Sequence, residues 1–198
     1  MAGFPLPRRP ADEDEPRAAL PPLEPGDHLD QKTFHERYEA MPPQVRAELI
    51  GGVVFMPSPL KRPHGRTHLR LSQWLAAYED ATPGTEAFDN ASAILGEQSE
   101  PQPDACLVIA AGPGAQTRDE DDYIVGAPEL VVEVASSSES IDLHRKRADY
   151  ERAGVKEYLV VALRQARVVW FVARNGRFED LSPGADGVFR SEVFPGLW

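Results

Sequence analysis

No apolar run in this chain approaches the ~20 residues needed to cross a bilayer. Its first residues are too rich in proline and charge for a secretory leader. These absences argue against a membrane setting and for the cytoplasm. A single cysteine, Cys106, excludes an intrachain disulfide; lying in a strand-like run, it reads as a buried thiol in a reducing compartment. Basic residues are scarce beside acids, 21 Lys and Arg against 32 Asp and Glu, a net charge of -11. That balance argues against broad phosphate binding, which uses cations to displace counterions. It leaves room for a nucleic-acid enzyme, because acids gathered to hold a divalent cation drive the total negative. No obvious basic stripe shows along the chain, and there is no internal repeat, no Gly-x-Ser-x-Gly elbow and no His-Glu-x-x-His pair.

What is present suffices for one domain: 198 residues, 41% of them hydrophobic. Residues 1–27, with seven prolines among acids and arginines, bury too little to order themselves and read as a flexible arm before a domain over 28–198. Thr33-Phe-His-Glu36 has the form of a capping box and places a short helix from Thr33. Arg46 to Met56 reads as a hairpin around Gly51-Gly52, with Glu48 on the face of Ile50. Leu71, Trp74, Leu75 and Tyr78 form the buried stripe of a helix over 63–78. Strands are expected over 86–95 and 104–110, a loop over 112–126, and strands again over 157–163 and 168–172. Asn175-Gly176 predicts a tight hairpin into 177–181. Strands and helices in this order imply a mixed α/β (α+β) domain with one central sheet. The stop after Trp198 leaves room for a further tail.

The most demanding stretch is Ala127 to Lys146. Leu130, Val132 and Val134 fall on one strand face, Val131, Glu133 and Ala135 on the other. A carboxylate in so apolar a strand is costly unless paired or bound to metal. Asp104, after Pro103, opens another strand, and Lys146 lies on the helix that Glu133's strand feeds. If the two strands pair, both carboxylates can hold Mg²⁺ or Mn²⁺ through oxygens. A lysine beside the ion would orient or deprotonate water and neutralise charge developing on a phosphate. These are the parts of phosphodiester hydrolysis.

Pro103-Asp104, Glu133-Val-Ala-Ser-Ser-Ser138, Asp142, Lys146 and Tyr150-Glu-Arg-Ala-Gly-Val-Lys-Glu-Tyr158 resemble the Uma-type putative restriction endonuclease family of the PD-(D/E)XK nuclease superfamily. Glu48-Leu-Ile-Gly-Gly52, His64 and Phe194-Pro-Gly-Leu197 fit the same family, so the resemblance runs from about Thr33 to the C-terminus. It implies a restriction-endonuclease-like core with flanking helices and a C-terminal β-hairpin region. It further implies Asp104 and Glu133 as metal ligands, the carbonyl of Val134 completing the coordination, and Glu48 as an acid that can join the site. The superfamily's usual lysine position, two after Glu133, is Ala135; the resemblance moves that lysine to Lys146. DNA is the implied partner, and a homodimer is suggested by analogy.

Each residue also has a plainer account. Glu133 can be a buried ion-pair partner of Lys146. Asp104 can merely start a strand, and Asp142 and Lys146, four apart, can be a surface helix pair. The serines from Ser136 to Ser140 read as caps rather than nucleophiles. His64 and His68 read as an exposed pair, Glu48 as an exposed hairpin acid, and Tyr150 as either a support for Lys146 or packing. Two other classes therefore stand beside a DNA endonuclease: a degenerate nuclease fold that only binds, and a metal-dependent hydrolase of a small phosphoester.

Overall fold

The computed structural model describes residues 20–136 and 139–198. Most of the expected arm (1–19) and two of the clustered serines, Ser137 and Ser138, lie outside the described residues. Helix α1 (Gln31–Glu39) packs by Phe34 against the hairpin β1 (Glu48–Ile50) and β2 (Val53–Phe55). Its cap is Asp30, whose Oδ1 accepts the Thr33 N–H at 2.7 Å. The helix thus begins before Thr33, because an aspartate three residues upstream supplies the acceptor. Leu23 is buried in the same cluster, and the Gly26 N–H donates to the Val54 carbonyl at 2.9 Å. Folded structure therefore reaches back into the segment expected to be loose.

Helix α2 (Arg62–Ala81) follows, then β3 (Thr85–Asp89), β4 (Ala93–Ile94) and β5 (Ala105–Ile109). The single strand expected over 86–95 is broken at Asn90, which takes a φ of 53° and sends β4 to another sheet. There β4 lies beside a hairpin, β6 (Arg118–Glu120) and β7 (Tyr123–Val125), inside the segment expected to be a loop. Asp121 and Asp122 make its turn at φ of 53° and 65°, a conformation acids tolerate. All of β6 is exposed, so it lacks the alternation that would reveal a strand.

Among the described residues the central sheet has six strands, ordered β11-β10-β9-β8-β5-β3. Here β8 is Leu130–Ala135, β9 Glu157–Ala162, β10 Arg167–Arg174 and β11 Arg177–Asp180. Within this sheet only β8 and β9 run parallel; the chain crosses between them through a π-helical turn (Ile141–Lys146) and helix α3 (Arg147–Ala153). Asn175 and Gly176 close β10 to β11 at φ of 52° and 75°, as that dipeptide predicts. Every residue of β8 is buried because both sheet faces are covered. Leu130 and Val132 pack with Leu75, Trp170 and Phe194, and the expected stripe of α2 (Leu71, Trp74, Leu75, Tyr78) meets them. Val131 and Ala135 pack on the other face with Tyr150, Tyr158 and Phe171. Glu133 shares that second face, which puts it under the crossover.

One loop position upstream of β8 admits only glycine. Gly126 has a φ of +106°, and a Cβ there would stand 2.3 Å from the Gln116 carbonyl oxygen. Gly126→Ala combines left-handed strain with a backbone overlap and is expected to lower stability by about 2 kcal/mol or more in urea denaturation.

Candidate active site

The crossover brings two side chains to Glu133, those of Lys146 and Tyr150. The Lys146 ammonium lies 2.9 Å from Glu133 Oε1 and 2.7 Å from Glu48 Oε1. The Tyr150 hydroxyl donates to Glu133 Oε1 at 2.9 Å, so this ring both packs in the core and fixes the carboxylate. Glu48 Oε1 also accepts the Gln102 N–H at 2.8 Å. Helix α3 holds the hairpin that carries Glu48: Asp149 Oδ2 accepts the Gly51 N–H at 2.6 Å. Glu48 is buried rather than exposed, since its strand is sandwiched against the crossover instead of facing water. Asp142 and Lys146 are likewise no surface pair; both are buried. The lysine emerges from a π-helical turn, a form that occurs mostly as single turns within helices and frequently at functional sites.

Asp104 stands at the mouth of β5, beside the middle of β8. The antiparallel register Ala105↔Val132, continued by one residue, sets it opposite Glu133. Its Oδ2 accepts the Val134 N–H at 2.7 Å. Two histidines of α2 approach from the other side. His64 Nε2 is 3.4 Å from Asp104 Oδ2, and His68 Nε2 lies 2.7 Å from the Asp104 carbonyl and 2.6 Å from Asp89 Oδ1. One ligand atom from each of His64, His68 and Asp104 falls within 4.8 Å of the others. The pair expected on an exposed helix face is thus turned inward, with His64 buried. Their i, i+4 spacing was visible in the sequence; the strand they would meet was not.

Burial works to raise Asp104, but contact with His64 and the Val134 N–H outweighs it, and the carboxyl titrates below its ordinary value. His64 is raised by Asp104 against the effect of burial. Burial pushes Glu133 well above the carboxylate range; Lys146 opposes this, while Asp104, Asp142 and Glu48 reinforce it. Lys146 would be lowered by burial, yet Glu133 and Glu48 more than reverse that, so it is held as a cation. The Cys106 thiol, pushed up to about 12 chiefly by burial, is inert.

Asp104, Glu133, Glu48 and Asp142 therefore surround one ammonium. Excess negative charge of this kind suits a divalent cation. The donor set fits as well: among the described residues no hydrogen bond is donated to Glu133 Oε2 or Asp104 Oδ1, since Lys146, Tyr150 and Val134 all use the other oxygens. Carboxylate oxygens left without a donor are ligands of the kind that hard cations take.

These groups form the floor of a cleft of about 820 Å³. Arg46, Lys61 and Arg164 stand exposed on its lining, drawn from three separate segments. Phe55, Met56, Pro57, Pro59 and Leu60 form an apolar wall. Among the described residues no helix is long and apolar enough to cross a membrane.

Comparison with known proteins agrees with this architecture. The sequence model of a family described as "Uma2: Putative restriction endonuclease" matches residues 33–198. The fold is similar to the crystal structure of "a putative nuclease belonging to DUF820 from Anabaena variabilis ATCC 29413", with a TM-score of 0.62 and 14% identity over 80% of this chain and 89% of that one. No curated protein matches the sequence.

Proposed function

The chain belongs to the Uma2 family of putative restriction endonucleases, and from that premise we propose that it hydrolyses phosphodiester bonds in DNA with the help of a divalent cation. The observation that carries the proposal is the placement of Lys146 between Glu48 and Glu133, with Asp104 one strand away, on the floor of a cleft edged by Arg46, Lys61 and Arg164. Asp104, Glu133 and the Val134 carbonyl would hold Mg²⁺ or Mn²⁺, which activates water and polarises a phosphoryl oxygen.

The remaining work falls to the protein's own groups. Lys146, held as a cation by Glu133 and Glu48, orients the attacked phosphate and neutralises its developing charge. Glu48 holds the ammonium in place, and Tyr150 fixes Glu133 through Oε1, which would leave Oε2 to take an ion. Exposed cations on the cleft lining receive the flanking phosphates, which answers the objection raised by the net charge: local sign, not the total, meets the substrate. A cytoplasmic location and a homodimer complete the reading; the buried, unreactive Cys106 supports the first.

Incubation with supercoiled plasmid, linear duplex, single-stranded DNA, RNA and a small aryl phosphodiester, with Mg²⁺ or Mn²⁺, tests this. DNA cleavage that EDTA abolishes is expected. Turnover of the small diester alone would make the protein a small-phosphoester hydrolase. Inactivity on every substrate would leave Glu133 and Lys146 as a structural ion pair in a binding module.

A further inference from the structure

Resting on the nuclease reading above, we propose that the DNA entering this cleft is single-stranded where it meets the carboxylates, with an unpaired base lodged against the wall of Phe55, Met56, Pro57, Pro59 and Leu60. That wall lines the same cleft as Glu48, Glu133 and Asp104. Leu60 is 62% exposed, so the wall presents a large aliphatic group to water beside a charged floor. An intact duplex turns sugars and phosphates outward and keeps its base faces stacked on one another. Apolar groups flanking a duplex backbone would have nothing to cover. An unpaired base does offer an apolar face, and single-strand binders pair a cationic groove with such platforms.

Depth and charge point the same way. The side chains of Glu48, Glu133 and Asp104 retain only 12%, 5% and 14% of their exposure. A strand free to bend can lower a phosphate to that floor more readily than a stiff duplex. Arg46, Lys61 and Arg164 are the exposed cations lining the cleft beside the buried Lys146, and Arg46 is already tied to Gln102 at 2.7 Å. Three phosphate contacts would give a single strand a salt slope of only about -2 in log K against log salt. On a chain of net charge -11, so small an electrostatic grip needs a second source of affinity. Base contact on the wall supplies it.

Fluorescence anisotropy with a labelled oligonucleotide and the duplex of the same sequence, in Ca²⁺ to limit turnover, tests the proposal. The single strand is expected to bind about tenfold or more tightly than the duplex. Phe55→Leu, which keeps apolar bulk and loses the ring, should weaken single-strand binding about fivefold or more and leave the duplex within about twofold. Leu60→Ser, at an exposed site, should shift the same ratio in the same direction by less, and both variants should melt with the wild type. Equal affinity for the two DNA forms overturns the proposal, as does a Phe55→Leu protein that folds normally with the ratio unchanged. Cleavage that prefers duplex also overturns it while leaving the nuclease intact. Single-strand binding without cleavage in Mg²⁺ or Mn²⁺ keeps the wall's role and removes the nuclease reading instead.

Discussion

Lys146→Met is expected to destabilise the fold by about 3–5 kcal/mol and to slow DNA cleavage by about 10²–10³-fold, the stability loss being the largest at any single site described above. The substitution keeps most of the aliphatic stem, so lost packing contributes little. What it removes is, among the described residues, the one lysine ammonium beside Glu48, Glu133, Asp104 and Asp142, all but Asp104 of them buried by residue exposure. Breaking a buried pair from one side leaves the other side's charge without compensation. The pH dependence separates this cause from a packing defect. Burial already raises Glu133, and without the lysine its folded-state pKa climbs further. An acid whose folded pKa exceeds its unfolded value favours the fold below the unfolded value and loses that contribution as pH rises through the folded one. The variant's deficit should therefore be smallest near about pH 4 and grow through neutrality, read as urea midpoints across pH. A deficit that does not change with pH would mean that the carboxylates do not depend on Lys146. Adding Glu48→Gln to Lys146→Met should recover part of the loss, since the two residues share one interaction.

Glu133 could be picked out in the sequence because its cost was visible there: an acid amid β-branched residues needs a partner. The strand's alternation then placed it on the face of Val131 and Ala135, and the family resemblance, with Ala135 at the usual lysine position, directed attention to Lys146. Other buried acids gave no such warning. Glu100, Glu129 and Glu157 are as buried as Glu133, yet the carboxylate of each is taken up by hydrogen bonds to groups outside the cleft floor. Glu129 accepts the N–H groups of Ile109 and Gln116, Glu157 those of Glu192 and Val193 with the Ser191 hydroxyl, and Glu100 bonds Gln31 and His35. A glutamate that ties down loop amides and one that faces a cleft look alike in sequence; only the distant partner differs. Long-range partners likewise hid Glu48 and His64, which become buried when the hairpin and α2 close on β5 and β8. The cleft's cations escaped notice for a related reason, since Arg46, Lys61 and Arg164 form no stripe until three segments meet. The π-helical turn was legible only as helix, because periodicity over six residues does not resolve one wider turn from the α-helix that continues it.

Asp104→Asn should abolish Mn²⁺ binding in isothermal titration and lower cleavage by at least about 10²-fold, with a much smaller effect on stability than Lys146→Met. The amide keeps the shape of the carboxyl and can still accept the Val134 N–H through its oxygen, so β5 and β8 stay joined. It loses the charge that a hard cation requires and that His64 uses. Asp104 titrates below its ordinary value, so its charge favours the fold above the unfolded pKa, and that favour fades as pH falls through the folded one. Wild type and Asp104→Asn should therefore differ modestly in stability at neutral pH and converge in acid, the reverse of the Lys146→Met trend. Opposite pH trends from two substitutions on one cleft floor would separate its parts: an ammonium that makes the acid cluster tolerable, and an aspartate whose charge is kept for an ion. Undiminished Mn²⁺ binding by Asp104→Asn would remove Asp104 from the ligand set and leave the neighbouring acids to account for any metal taken up.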